Sequence, residues 1–136
     1  MTASFQFDVR VYYEDTDAAG IVYYANYLRY MERARTEWLE ALGFPLAAFE
    51  REHGLTFAVR RAELDFLLPA RLNDRLAVGV EPQLCRGAQL DVVQRIMRDD
   101  ALLVRGGISL ACIDLARMSP RRIPRVLLPH LPRRSA

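Results

Sequence analysis

Lysine is absent from these 136 residues; all 19 basic positions are arginine. That removes Schiff-base chemistry and the lysine of a phosphate-binding P-loop. Histidine is almost absent. His53 and His130 stand far apart, so no zinc pattern exists and no metal is expected. The four serines, Ser4, Ser109, Ser119 and Ser135, have no neighbouring histidine and sit in no GxSxG elbow. No GxGxxG is present, and no cofactor is expected. The two cysteines, Cys85 and Cys112, form no CxxC and read as reduced thiols at buried or half-buried positions. No run approaches the roughly 18 apolar residues of a membrane span. The start, MTASFQFDVR, lacks the apolar core of a signal peptide, which leads to an expected cytoplasmic location. No nucleic-acid-binding module is recognisable.

What is present suits one domain covering residues 1–136. Apolar residues make up 51% of the chain and charged residues 26%, enough for one core and against disorder. Charge is unevenly placed. Residues 117–136 hold six arginines and no acid, whereas the rest is net acidic. Such a basic tail suits phosphates, an anionic surface or a partner protein, and equally a merely solvated end.

Residues 5–13 alternate, with Phe5, Phe7, Val9, Val11 and Tyr13 on one face, as a half-buried strand does. Residues 14–20, EDTDAAG, are turn formers. A helix is expected over 26–42, with Tyr27, Met31, Ala34, Trp38 and Leu42 at helical spacing. Asn26 is a candidate N-cap, with 23–25 as a possible first turn, and Gly43 and Pro45 stop the helix. A short helix over 46–53 ends at Gly54. Strands are expected over 55–68, 75–85, 88–98 and 101–116, with Asp99–Asp100 as a hairpin turn. The run 108–113 reads as a central strand covered on both sides. Glu32 and Glu37 read as helix-surface partners of Arg35 and Arg33. The fold class is therefore α+β, an antiparallel sheet with one long helix against it. Apolar groups around most of that helix argue for cover on more than one side, hence for a curved sheet and an oligomer.

A carboxylate-bearing loop runs straight into the start of the long helix. Free amides and the positive end of the helix dipole are available there to a developing oxyanion. One such donor is worth about 3–4 kcal/mol in acyl-transfer sites. Asp17 lies just upstream, beside Ala18, Ala19 and Gly20. On spacing alone it reads equally as a residue that caps a turn.

Residues 13–27, YEDTDAAGIVYYANY, continue into 32–38, ERARTEW, and on through 60–66, RRAELDF, to the PRRIP of 120–124. Taken together they closely resemble the hotdog thioesterases of the 4-hydroxybenzoyl-CoA thioesterase family. The likeness is greatest to the subgroup found with the bacterial Tol–Pal envelope system. It covers nearly the whole chain. It implies a hotdog fold, a curved antiparallel five-stranded sheet wrapped around one long helix, and hydrolysis of acyl-CoA to free acid and CoA. The family's catalytic aspartate falls on Asp17, acting as nucleophile or general base. Its carbonyl-polarising amide falls on the backbone N–H of Tyr24. Where that subgroup commonly has histidine, this chain has Tyr24, as in the hydroxybenzoyl prototype. Tyr13, Asn26 and Tyr27 are candidate substrate-binding residues. The family holds the CoA phosphates by arginine near a dimer seam, which points to Arg86, then to Arg121 and Arg122; Arg86 also reads as an ordinary turn arginine. The expected assembly is a homodimer or a dimer of dimers. Two rivals use the same fold. A hydratase would pair a carboxylate with histidine, and neither histidine lies in the loop–helix segment. A non-catalytic scaffold would bind acyl thioesters or acyl carrier protein without turnover.

Overall fold

The computed structural model describes residues 4–132. Strand β1 (Phe5–Arg10) is followed by a 3-10 turn at Tyr13–Asp15, helix α1 (Asn26–Ala41) and helix α2 (Leu46–His53). Strands β2 (Leu55–Phe66), β3 (Arg75–Arg86), β4 (Gln89–Arg98) and β5 (Ala101–Asp114) follow, then a two-residue β6 (Ser119–Pro120). Spatial order is β1-β3-β4-β5-β2, antiparallel throughout, with β6 added to the end of β5. The expected five strands are present, and β6 is the one addition.

Alternation decides which face each strand buries. Phe5, Phe7 and Val9 of β1 lie opposite Val80, Val78 and Leu76 of β3, all on the helix side. The helix buries Tyr27, Tyr30, Met31, Ala34, Trp38 and Leu39 against that face. Each large side chain so buried contributes about 2 kcal/mol. Close approach depends on Gly106 of β5: a Cβ built there would lie 2.9 Å from Cε of Met31. Gly43, at φ 98°, ends α1, and Gly54, at φ 66°, ends α2. Both conformations are costly for any other residue.

A buried amide also ties helix to sheet. Gln94 of β4 is fully buried and donates to the Met31 carbonyl at 3.0 Å and to the Gly79 carbonyl at 3.2 Å. Its Oε1 accepts from Nη1 of Arg35 at 2.9 Å. The expected pairing of Arg35 with Glu32 is thus replaced. Neither Glu32–Arg35 nor Glu37–Arg33 is among the ion pairs of the described residues. Arg33 instead lies over the Tyr30 ring, 5.9 Å from its centroid.

Three further expectations are corrected. The run 108–113 is covered on one side only. Ile108, Leu110 and Cys112 are buried, while Ser109, Ala111 and Ile113 are half-buried on the convex face, where the described residues supply no second layer. Helix α1 is apolar over a narrower stripe than its composition suggests, because Leu28 faces outward. The end of the chain is not simply solvated: Ile123, Leu127 and Leu131 enter the core cluster, and the Ile123 amide donates to the Gly87 carbonyl. Arg117, Arg121, Arg122 and Arg125 stay on its surface. Cys85 and Cys112 are both buried, and burial pushes the Cys112 thiol up to about 11.

Candidate active site

The EDTDAAG segment folds as a narrow hairpin with Asp17 at its tip. The Tyr23 amide donates to the Asp15 carbonyl at 2.9 Å, and the Asp17 amide to the Ile21 carbonyl at 2.9 Å. Gly20, at φ 79°, closes the turn through a bond from its amide to the Asp17 carbonyl. The returning arm is stitched to the segment before β3, with the Val22 amide on the Ala70 carbonyl and Ile21 bridged to Arg71. The Asp17 carboxyl is exposed. Its Oδ1 accepts the Ala19 amide at 2.9 Å, so the turn-capping role is real. Its other oxygen takes no donor among the described residues.

The chain enters α1 through tight turns: the amides of Asn26, Tyr27 and Leu28 donate to the carbonyls of Tyr23, Tyr24 and Ala25. Asn26 is therefore inside the first turn and is not the N-cap; Ala25 holds that place without a side-chain bond. The Tyr24 and Ala25 amides have no acceptor among the described residues, the orphan donors that a helix start leaves. Tyr24 follows the Asp15–Tyr23 rung of the hairpin directly. Asp17 lies two residues up the other arm, about 7 Å along extended chain.

Beside these amides lies a groove of about 320 Å³ between the helix start and the end of β2, lined by Ile21, Val22, Tyr24, Tyr27, Phe66 and Leu67. The Tyr24 and Tyr27 rings contact Phe66 at centroid distances of 6.2 and 5.8 Å. The Tyr27 hydroxyl accepts the Ala70 amide at 3.1 Å. Burial raises its pKa; the Ala70 amide and Arg98 oppose the shift, and Asp74 and Asp17 add to it. The Asp17 charge is thus felt at the groove wall.

The remaining predicted site residues are placed differently. Asn26 is 7% exposed and its side-chain amide is committed to Asp15, which withdraws that amide from substrate. Tyr13 projects from its 3-10 turn at 82% exposure and lines none of the groove. Arg86 sits at the far end of β3, about 35 Å of strand from Arg75 at the groove end. One chain does not bring Arg86 to Asp17. Arg121 is paired with Asp114, and Arg122 lies in the segment docked at the β3–β4 turn near Arg86. Sequence reasoning missed Asp15, a carboxylate 7% exposed beneath the hairpin. The signal available was its place at the end of a 3-10 turn whose start, Tyr12, needs an acceptor.

A curled antiparallel sheet wrapped around one long helix is the hotdog fold. The model of the thioesterase-like superfamily matches residues 11–131, and the chain belongs to that family. It is 43% identical to the acyl-CoA thioesterase YbgC of Haemophilus influenzae over 121 residues, 89% of each chain. It is 40% identical to the acyl-CoA thioester hydrolase YbgC of Escherichia coli over 128 residues, 93% of this chain and 95% of that one. Among solved structures, Probable Thioesterase from Bartonella henselae matches with a TM-score of 0.85 at 34% identity, covering 90% of this chain and all of that one.

Proposed function

We propose that this thioesterase hydrolyses acyl-CoA to free acid and CoA at the junction of the Asp17 hairpin and α1. The observation that carries this reading is the pair of unsatisfied amides at Tyr24 and Ala25, next to a carboxylate with one uncommitted oxygen and to an apolar groove. The acyl group lies in the groove with its carbonyl oxygen on the Tyr24 amide. The carboxylate of Asp17 either attacks the carbonyl carbon, giving a mixed anhydride that water then cleaves, or takes a proton from water as that water attacks. In both routes the C–S bond breaks and CoA leaves as thiolate. The relatives named above, acyl-CoA thioesterases over nearly their full length, support the substrate class.

The working unit in this reading is at least a dimer. Among the described residues the β2 edge is unpaired, and Val59, Phe66, Leu67 and Leu68 along and beyond it are 47–54% exposed. Antiparallel pairing of two such edges covers the groove. It also turns the far end of one sheet toward the site of the other chain, which in this reading carries Arg86 toward the CoA phosphates.

The test is steady-state hydrolysis of acyl-CoA by Asp17→Asn and by Tyr24→Ala and Tyr24→Pro. Asparagine at 17 should lower kcat by about 10³-fold with KM little changed. Alanine at 24 keeps the amide and most of the activity; proline removes the amide and should cost about 10²-fold. Near-normal turnover in Asp17→Asn would overturn the proposal. Single-turnover labelling in ¹⁸O water tests the first route: label in the Asp17 carboxyl requires an anhydride that water opens at the Asp17 carbon.

A further inference from the structure

Asp15 is the one charged side chain buried among the described residues, and the reaction as proposed makes no use of it. A buried carboxylate is costly unless hydrogen bonds or a cation compensate it. No cation stands within ion-pair distance of it among the described residues. Its compensation comes from two neutral donors. The Tyr12 amide donates to Oδ2 at 2.8 Å, and Nδ2 of Asn26 donates to Oδ1 at 3.2 Å. Nδ2 of Asn26 also reaches the Asp15 carbonyl at 3.2 Å, which accepts the Tyr23 amide as well. One residue therefore joins the exit of β1, the base of the Asp17 hairpin and the first turn of α1. The Tyr30 hydroxyl is buried beside this carboxylate without closing a hydrogen bond of normal geometry.

The consequence reaches the Tyr24 amide through peptide geometry. In a trans peptide the C=O and the following N–H point in opposite directions. The Tyr23 carbonyl is held by the Asn26 backbone amide at 2.8 Å, and the Tyr23 amide is held by Asp15. With both sides of Tyr23 fixed, the peptide that carries the Tyr24 N–H is fixed too, and that N–H faces away from the helix. Two residues along the other arm the same lock sets the height of Asp17.

We infer that Asp15 and Asn26 are positioning residues of the hydrolysis, holding the Asp17 carboxylate and the Tyr24 amide at the separation that one thioester carbonyl requires. This rests on the roles of Asp17 and Tyr24 proposed above. Misplacing reacting groups by about 1 Å costs on the order of 10²-fold in rate. The lock therefore acts on kcat, while the groove that binds the acyl group stays as it is.

The experiment compares kcat and KM for one acyl-CoA in Asn26→Asp, Asn26→Ala, the swap Asp15→Asn with Asn26→Asp, and Asp17→Asn, each with its melting temperature. Asn26→Asp sets two carboxylates against each other and should lower kcat about 30–100-fold with KM within about threefold. Asn26→Ala deletes the donor without adding charge and should lower kcat about tenfold, so the inference stays testable if the first variant is poorly folded. The swap exchanges donor and acceptor and should recover at least about tenfold of the kcat lost in Asn26→Asp. Folded variants with unchanged kcat overturn the lock, as does a loss shared equally by kcat and 1/KM, or a folded swap that recovers nothing. If Asp17→Asn turns over normally, the catalytic reading itself fails; if it is inactive while the Asn26 variants are normal, the lock alone fails.

Discussion

Replacing Gln94 with leucine would test how helix α1 is fixed to the sheet. Leucine has nearly the same volume, so no cavity opens, and the loss is one of hydrogen bonds alone. Three are removed: to the Met31 carbonyl, to the Gly79 carbonyl and from Arg35. The Met31 carbonyl lies in mid-helix and keeps its helical partner. The largest loss falls on Arg35, which is half-buried, burial lowering its pKa against the opposing charge of Glu32. Losing its acceptor should cost about 1.5–3 kcal/mol and the two carbonyls about 0.5–1 together, near 3 kcal/mol in all. For a domain of this size that is a fall in Tm of about 10 °C. The assay is thermal and urea unfolding of Gln94→Leu, of Arg35→Met and of the double variant. With both partners gone no charged group is stranded and only the two carbonyl bonds are lost, so the double variant should be more stable than Gln94→Leu alone. A loss below about 0.5 kcal/mol in Gln94→Leu, or strict additivity in the double variant, would refute the reasoning.

Gly106→Ala should also destabilise. Its Cβ would meet Met31 Cε at 2.9 Å and Sδ at 3.1 Å, the far end of a flexible but fully buried side chain, so Met31 must shift and about 1 kcal/mol is expected; an unchanged melting curve would contradict the packing. Asp114 anchors the turn after β5 through the amides of Arg117 and Ala116 and the charge of Arg121, which together hold its pKa below the ordinary carboxylate range. The stabilisation from a depressed carboxylate is present above its unfolded pKa and lost as pH falls through its lower folded value. The Ala116 and Arg117 amide resonances should therefore titrate below the ordinary aspartate range; an inflection at or above that range would count against the assignment.

Much of this protein could be read along the chain. The alternation of Phe5, Phe7 and Val9, the helical spacing from Tyr27 to Trp38 and the punctuation by Gly43, Gly54 and Asp99–Asp100 are local patterns, set by side-chain period and backbone conformation. Each matches an observed element to within a few residues. The Asp17 loop at a helix start was legible for the same reason, since hairpin and helix are contiguous in sequence. The tertiary structure alone decided what lies across long separations. Strand register sets Gly106 under Met31 and Gln94 against Arg35, and sheet order sends Arg86 to the end away from Asp17. Asp15 and Asp17 look alike in an acidic loop, yet Asp15 ends a 3-10 turn tucked under the hairpin base and is buried, while Asp17 stands exposed at the hairpin tip. Burial depends on what the rest of the chain brings to a side chain, and no local period encodes that.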